Sequence, residues 1–200
     1  MNSPPLTRHQ RHRQRTRDQL IQAAVELTLE KGYEAVTVQE ITDRADLGRG
    51  TFYIHFKDKE DVLWTAIQIG LHETEAEAHS HIKDVPILAH VEYYYYLNIF
   101  HHAERQRGLY RVMLGKLGSS NLKARVQDYF VSAIQADISL LPKQLFSEFK
   151  VPKEILIQVV TGAVMQLMLW WLETPNSYSP EQMAEMLYET LHHQKASEAA

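Results

Sequence analysis

The chain contains no cysteine, which excludes disulfide staples and thiolate metal sites and fits a reducing cytoplasm. Glycine and proline are sparse, 8 and 7 in 200 residues, and most stand where a helix would end rather than inside strand patterns. No apolar run is expected to be long enough to span a bilayer, and the N-terminus is too basic and polar for a secretory signal, so no membrane partner is expected. A phosphate-cradling glycine loop, a nucleophile–base signature and paired buried carboxylates are all missing from the sequence. Catalysis is therefore not expected, nor any catalytic residue or cofactor.

What is present is ordinary in bulk and uneven along the chain. Hydrophobic residues make up 44% and charged residues 23%, a globular composition with length enough for a real core. The formal net charge is −4. Residues 1–60 hold ten Lys+Arg against nine Asp+Glu, which leaves +1, and the remainder holds 11 against 16, which leaves −5. Within the first part positive charge concentrates before Asp18, where Arg8, Arg11, Arg13, Arg15 and Arg17 occur with no acid among them, and again over Arg49–Lys59. A locally basic head on an acidic body suits a phosphate-binding end joined to a larger domain of another role.

The periodicity is helical throughout, and the expected fold class is all-α with about nine helices. Leu20, Ala23, Ala24, Leu27 and Glu30 mark one face of a first helix over Thr16–Lys31, which Gly32 stops. Thr37 with Glu40 forms a capping box for a second helix ending near Ala45, and a third covers Arg49–Phe56. Asp58 opens a fourth, closed by Pro86. Further helices are expected over Ile87–Arg105, Leu109–Lys116, Asn121–Leu140, Lys153–Glu173 and from Ser179-Pro180-Glu181 to about His193, with a connector over Pro142–Pro152. The expected organisation is a flexible basic arm (1–15), a three-helix head (16–60), a larger helical body (61–194) and a disordered tail (195–200).

The stretch from Thr37 to Lys59 carries the chemistry. Two short helices meet at the small residue Ala45, and Val38, Ile41, Leu47, Phe52 and Phe56 are spaced to close a mini-core beneath them. That leaves Arg49, Gly50, Thr51, Tyr53 and His55 facing outward, the pattern of a helix-turn-helix that lays its second helix in a major groove. Arginine grips guanine edges, threonine meets a thymine methyl, and Gly50 lets the backbone come close. Tyr53 and Lys59 suit phosphates, as do Thr37 at a helix N-terminus and Arg13, Arg15 and Arg17 of the arm.

Written as T-V-x-x-I-x-x-x-A-x-L-x-x-G-T-F-Y-x-H-F-x-x-K-E-x-V-L, Thr37 to Leu63 resembles the N-terminal signature of the TetR family of bacterial transcriptional regulators, a likeness that extends over residues 17–63. The resemblance implies an all-α homodimer, bound to a palindromic DNA operator, repressing transcription until a small molecule in the larger domain releases it. It assigns DNA contacts to Thr37, Arg49, Gly50, Thr51, Tyr53, His55 and Lys59. One departure is Asp46, where the family turn usually has glycine and where a positive φ is expected. A second likeness, to one C-terminal branch of the family, rests on H-x-x-x-R-G-L-Y-R-x-M-L-G (His101, Arg107–Gly115), G-x-x-x-x-x-x-x-W-W-L-E (Gly162–Glu173) and the S-P-E-Q-M-A that follows.

The helix from Lys153 to Glu173 is apolar on nearly every side and must be covered all round. A second copy is the simplest cover, through Ile155, Val159, Gly162, Ala163, Met183, Met186, Leu187 and Leu191. Tyr93, Tyr96, Phe100, Tyr110, Met113, Phe130, Met165, Met168 and Trp170 are candidates to line a pocket for an apolar or aromatic effector, or to be plain core. His72, Glu75 and His79 share a predicted helix face, and His101 adjoins His102, but beside Glu73 and Glu77 the stripe reads as a solvated face rather than a metal site. Two other readings stay open. One is a DNA-bound interaction protein without an effector, the other a helical enzyme or metal-binding bundle.

Overall fold

The computed structural model describes residues 7–82, 91–116, 118–140, 151–174 and 178–192, and among them every regular element is an α-helix. In chain order these are α1 (Arg8–Lys31), α2 (Val38–Arg44), α3 (Arg49–His55), α4 (Lys59–Ile82), α5 (Val91–Arg105), α6 (Arg107–Leu114), α7 (Ser120–Leu140), α8 (Lys153–Glu173) and α9 (Pro180–His192). The chain divides into a head, up to Leu71, and a body from His72 on, and α4 runs through the division. The expected helix stop at Pro86 and helix start at Ile87, most of the 142–152 connector, and residues 1–6 and 193–200 lie outside the described residues.

Residues 8–15, expected as a flexible arm, are instead the first two turns of α1. The Thr7 hydroxyl accepts from the Gln10 N–H (3.3 Å) while the Gln10 side chain accepts from the Thr7 N–H (2.8 Å), a complete capping box. Beyond it no Gly or Pro interrupts the run to Lys31, and arginine and glutamine are good helix formers. In the head, Leu20, Ala24, Ile41, Phe52, Val62 and Leu63 are buried with essentially no exposure, and each of these except Ala24 is worth about 1.5–3 kcal/mol. Glu30 is not part of that face. Its carboxylate takes the two-pronged Arg44 guanidinium (2.8 and 2.9 Å), with Glu26 at 3.3 Å, and this ties α2 to α1.

In the body α5 packs on α9, and α8 packs on α6 and α7. Contrary to the expectation from sequence, α8 is long and apolar enough to cross a membrane by length and composition alone, at mean hydropathy 1.8. Its inner stripe, Ile157, Thr161, Val164, Met165, Met168, Trp171 and Leu172, is buried within the body. The opposite side is exposed and carries Ile155, Val159 and Trp170 together with Gln158 and Gln166.

Candidate nucleic-acid interface

The second helix of the helix-turn-helix pattern, α3, stands on two phenylalanines. Phe52 and Phe56 are buried beside each other, with ring centroids 5.8 Å apart, and lock α3 onto the head core. Asp46 makes the turn with φ 53°, the left-handed conformation expected of that position. Arg49, Gly50 and Tyr53 are exposed; Thr51 and His55 are half-buried at the edges of the same face. A Cβ on Gly50 would meet nothing within 4 Å, so its bare backbone faces outward rather than serving internal packing. Ile54, which the sequence pattern did not single out, is 69% exposed and shares a helix face with Gly50, four residues earlier. An isoleucine so placed suits a thymine methyl or a sugar edge.

The arginines of α1 fall on two faces. Arg17 lies over the Phe56 ring (5.6 Å to its centroid), and Arg13 and Arg17 both act on His55. Burial, then these two positive charges, lower the His55 pKa, so the imidazole is uncharged at neutral pH. The structure thus brings Arg13 and Arg17 to the end of α3. It does not bring Arg15 there, because two residues further along a helix turn a side chain by about 200°.

Two expected phosphate ligands are engaged inside the head. The Lys59 ammonium donates to the carbonyls of Tyr33 (2.9 Å), Val36 (3.1 Å) and Glu34 (3.2 Å) and sits 4.5 Å over the Tyr33 ring. An ammonium has three N–H donors, and all three are used in clamping the loop after α1. Thr37 is exposed, but its hydroxyl donates to Glu40 at 2.7 Å and its N–H donates to the same carboxylate oxygen at 3.0 Å. Lys31 also pairs with Glu40. Hydrogen bonds from Lys31 and then Thr37 hold the Glu40 carboxyl at about 2, so this helix start already carries an anion. Both side chains thus brace the head.

The body motifs also resolve into braces. Arg107 donates from Nε to Glu104 (2.8 Å) and from Nη1 to the Trp171 and Leu172 carbonyls (3.2 and 3.1 Å), closing the end of α8. Its guanidinium lies 4.4 Å from the Trp171 ring centre. Glu173 accepts from the Lys116 N–H at 2.7 Å, and a Cβ on Gly115 would fall 2.1 Å from the Arg111 carbonyl oxygen, so only glycine passes there. His101 pairs with Glu181 (3.1 Å), joining α5 to α9, while His102 hydrogen-bonds the Tyr110 hydroxyl at 2.8 Å. The adjacent histidines thus point to different partners. The side chains of Glu75 and His79 lie outside the described residues.

Of the candidate pocket residues, Tyr96, Phe100, Tyr110, Met113, Phe130, Met165 and Met168 are buried and Tyr93 is half-buried. Trp170 is the exception, 46% exposed on the outer stripe of α8, because its neighbour Trp171 takes the inner position, edge-on to Phe100 at 5.5 Å. Of the candidate interface residues, Ile155, Val159, Gly162 and Met186 are exposed, and Ala163 and Leu191 are half-buried. Met183 and Leu187 are corrected: they are buried against their own subunit, on the face of α9 turned to α5. With Trp170 added, Ile155, Val159, Gly162, Gln166 and Trp170 form one continuous outer stripe, apolar except at Gln166.

The family described as bacterial regulatory proteins of the tetR family matches residues 20–64, and a transcriptional regulator C-terminal region matches residues 93–193. The chain belongs to the TetR family. A transcriptional regulator from Streptomyces glaucescens, TcmR, is 47% identical over 66 residues, 33% of this chain and 28% of that protein. The chain thus matches under a third of the length of this curated relative. Among solved structures, a TetR-family regulator from Syntrophomonas wolfei superposes with a TM-score of 0.70 at 19% identity, covering 94% of this chain and 97% of the other. FadR from Bacillus subtilis, crystallised with stearoyl-CoA, superposes with a TM-score of 0.65 at 18% identity, covering 87% and 96%.

Within this TetR-family chain, two residues escaped the sequence reading. Ile54 did so because an apolar residue beside Phe52 reads as core. Thr161 did so because a lone threonine in an apolar helix carries no pattern. Its hydroxyl is fully buried on the inner stripe of α8 and makes no hydrogen bond, a state that costs about 1–3 kcal/mol.

Proposed function

We propose that this TetR-family chain is a homodimeric transcriptional repressor that reads a palindromic DNA operator through α3 and is released by a small apolar or aromatic effector held in the body. The observation that carries the reading is α3 itself: seated on Phe52 and Phe56, it turns Arg49, Gly50, Tyr53 and Ile54 to solvent. Arg49 would read a guanine edge and Ile54 a thymine methyl, while Tyr53, Arg13 and Arg17 would hold phosphates. The outer stripe of α8, with Met186 of α9, would be covered by the same stripe of a second copy, an isologous contact.

The effector would occupy the region of Tyr96, Phe100, Met113, Met165 and Met168, with the unpartnered Thr161 hydroxyl supplying a polar anchor. Since α4 belongs to both head and body, an effector that favours one placement of α4 would change the spacing of two reading heads against successive grooves. The relative crystallised with stearoyl-CoA makes a long-chain acyl thioester a sensible first probe. The test is selection of binding sites from random duplexes, followed by challenge with effector candidates. An enriched palindrome, released by an apolar ligand in the wild type and more weakly in Thr161→Val, is the expected result. Recovery of no enriched sequence would contradict the reading.

A further inference from the structure

Arg8, Arg11 and Arg15 lie at i, i+3 and i+7 of α1, which places them on one stripe. All three are exposed, and Thr16 is the first buried residue of the helix. The eight residues Arg8–Arg15 therefore extend ahead of the head's core by about 12 Å, at about 1.5 Å per residue. Their stripe lies on the side of α1 away from Arg13 and Arg17, the pair that reaches α3.

The arginines of this segment repel one another. Arg8 with Arg11, Arg11 with Arg15 and Arg13 with Arg17 are like charges three or four residues apart, each pair working against the helix. They also sit at the helix end whose dipole is positive, and the first turn holds no acid. The Thr7–Gln10 box caps the helix in spite of this charge. A polyanion laid along the segment would reverse the sign of every one of these terms. Each strand of duplex DNA carries about one negative charge per 3.4 Å of the axis, so a rod of about 12 Å would lie beside about three or four phosphates of one strand.

We propose that the projecting start of α1 is a second, sequence-independent DNA contact, in which Arg8, Arg11 and Arg15 grip the phosphates of the base pairs flanking those read by α3. The contact rests on the operator reading given above and extends it. It makes affinity depend on the length of duplex outside the palindrome and not on the sequence there. Each phosphate neutralised adds about 0.9 to the slope of log affinity against log salt, so three arginines contribute about 2.7 per half-site.

The test uses the full chain and two duplexes sharing one selected operator. One is trimmed to the outermost selected base pair; the other carries a full helical turn of arbitrary sequence on each side. The wild type is expected to bind the longer duplex at least tenfold more tightly at low salt, with a steeper salt slope. Arg8→Ala/Arg11→Ala/Arg15→Ala is expected to bind the trimmed duplex like the wild type and to lose the gain on the longer one. Equal wild-type affinity for the two duplexes, or a flank gain that survives the triple substitution, overturns the inference while leaving operator recognition intact. No binding of the wild type to either duplex overturns both.

Discussion

At the scale of single residues, the head separates side chains proposed to read DNA from side chains that brace the fold. Lys59 braces: three carbonyls and the face of Tyr33 surround its ammonium. Lys59→Met keeps the stem and removes the charged donor. It is expected to cost about 2–3 kcal/mol of head stability, the worth of hydrogen bonds to a charged group, visible as a lower melting temperature. Unchanged melting with weakened DNA binding would restore Lys59 to the phosphate contacts. Glu40 braces in a pH-dependent way. Its folded-state pKa is depressed from 4.5 to about 2, so its stabilisation is complete above about pH 4.5 and is lost as pH falls toward 2. Glu40→Gln should flatten the pH dependence of melting across that window, and a wild-type slope in the variant would show that Glu40 does not carry it.

At the scale of elements, most of the architecture was legible in the sequence because capping and stopping residues have local causes. Thr37 with Glu40 marked the start of α2, and Gly32, at φ 87°, marked the end of α1. The start of α1 was equally local, in Thr7 and Gln10, but a run of arginines reads as disorder when charge is weighed ahead of caps. Asp46 was readable too: a turn between two short helices needs positive φ, and the residue adopts it. Asp46→Gly should relax this turn and raise head stability by up to about 1 kcal/mol; a loss of stability would mean the aspartate side chain holds the turn. What sequence could not separate was Trp170 from Trp171, or Lys59 as phosphate ligand from Lys59 as clamp. Adjacent apolar residues on a helix apolar all round give no phase, and the carbonyls that hold Lys59 come from residues 23–26 positions away.

At the scale of the whole molecule, the body's motifs proved to be fasteners between α5, α6, α8 and α9, built from Arg107, Glu173 and His101. The apolar residues left exposed on α8, Ile155, Val159 and Trp170, are the surface that the proposed homodimer would bury. Val159→Asp, at a site 55% exposed in one copy, should leave the subunit folded and shift sedimentation from dimer to monomer, with operator affinity falling in step. A dimer that withstands the aspartate would place the interface elsewhere. The central claim, that two copies present α3 to one palindrome, is tested most directly by titrating wild type and Arg49→Ala against the selected operator and a scrambled duplex. The account predicts two protomers per operator and wild-type discrimination of at least about 10³, lost in Arg49→Ala while the protein stays folded and dimeric. Binding of a single protomer, or full discrimination in the Arg49→Ala variant, would contradict it.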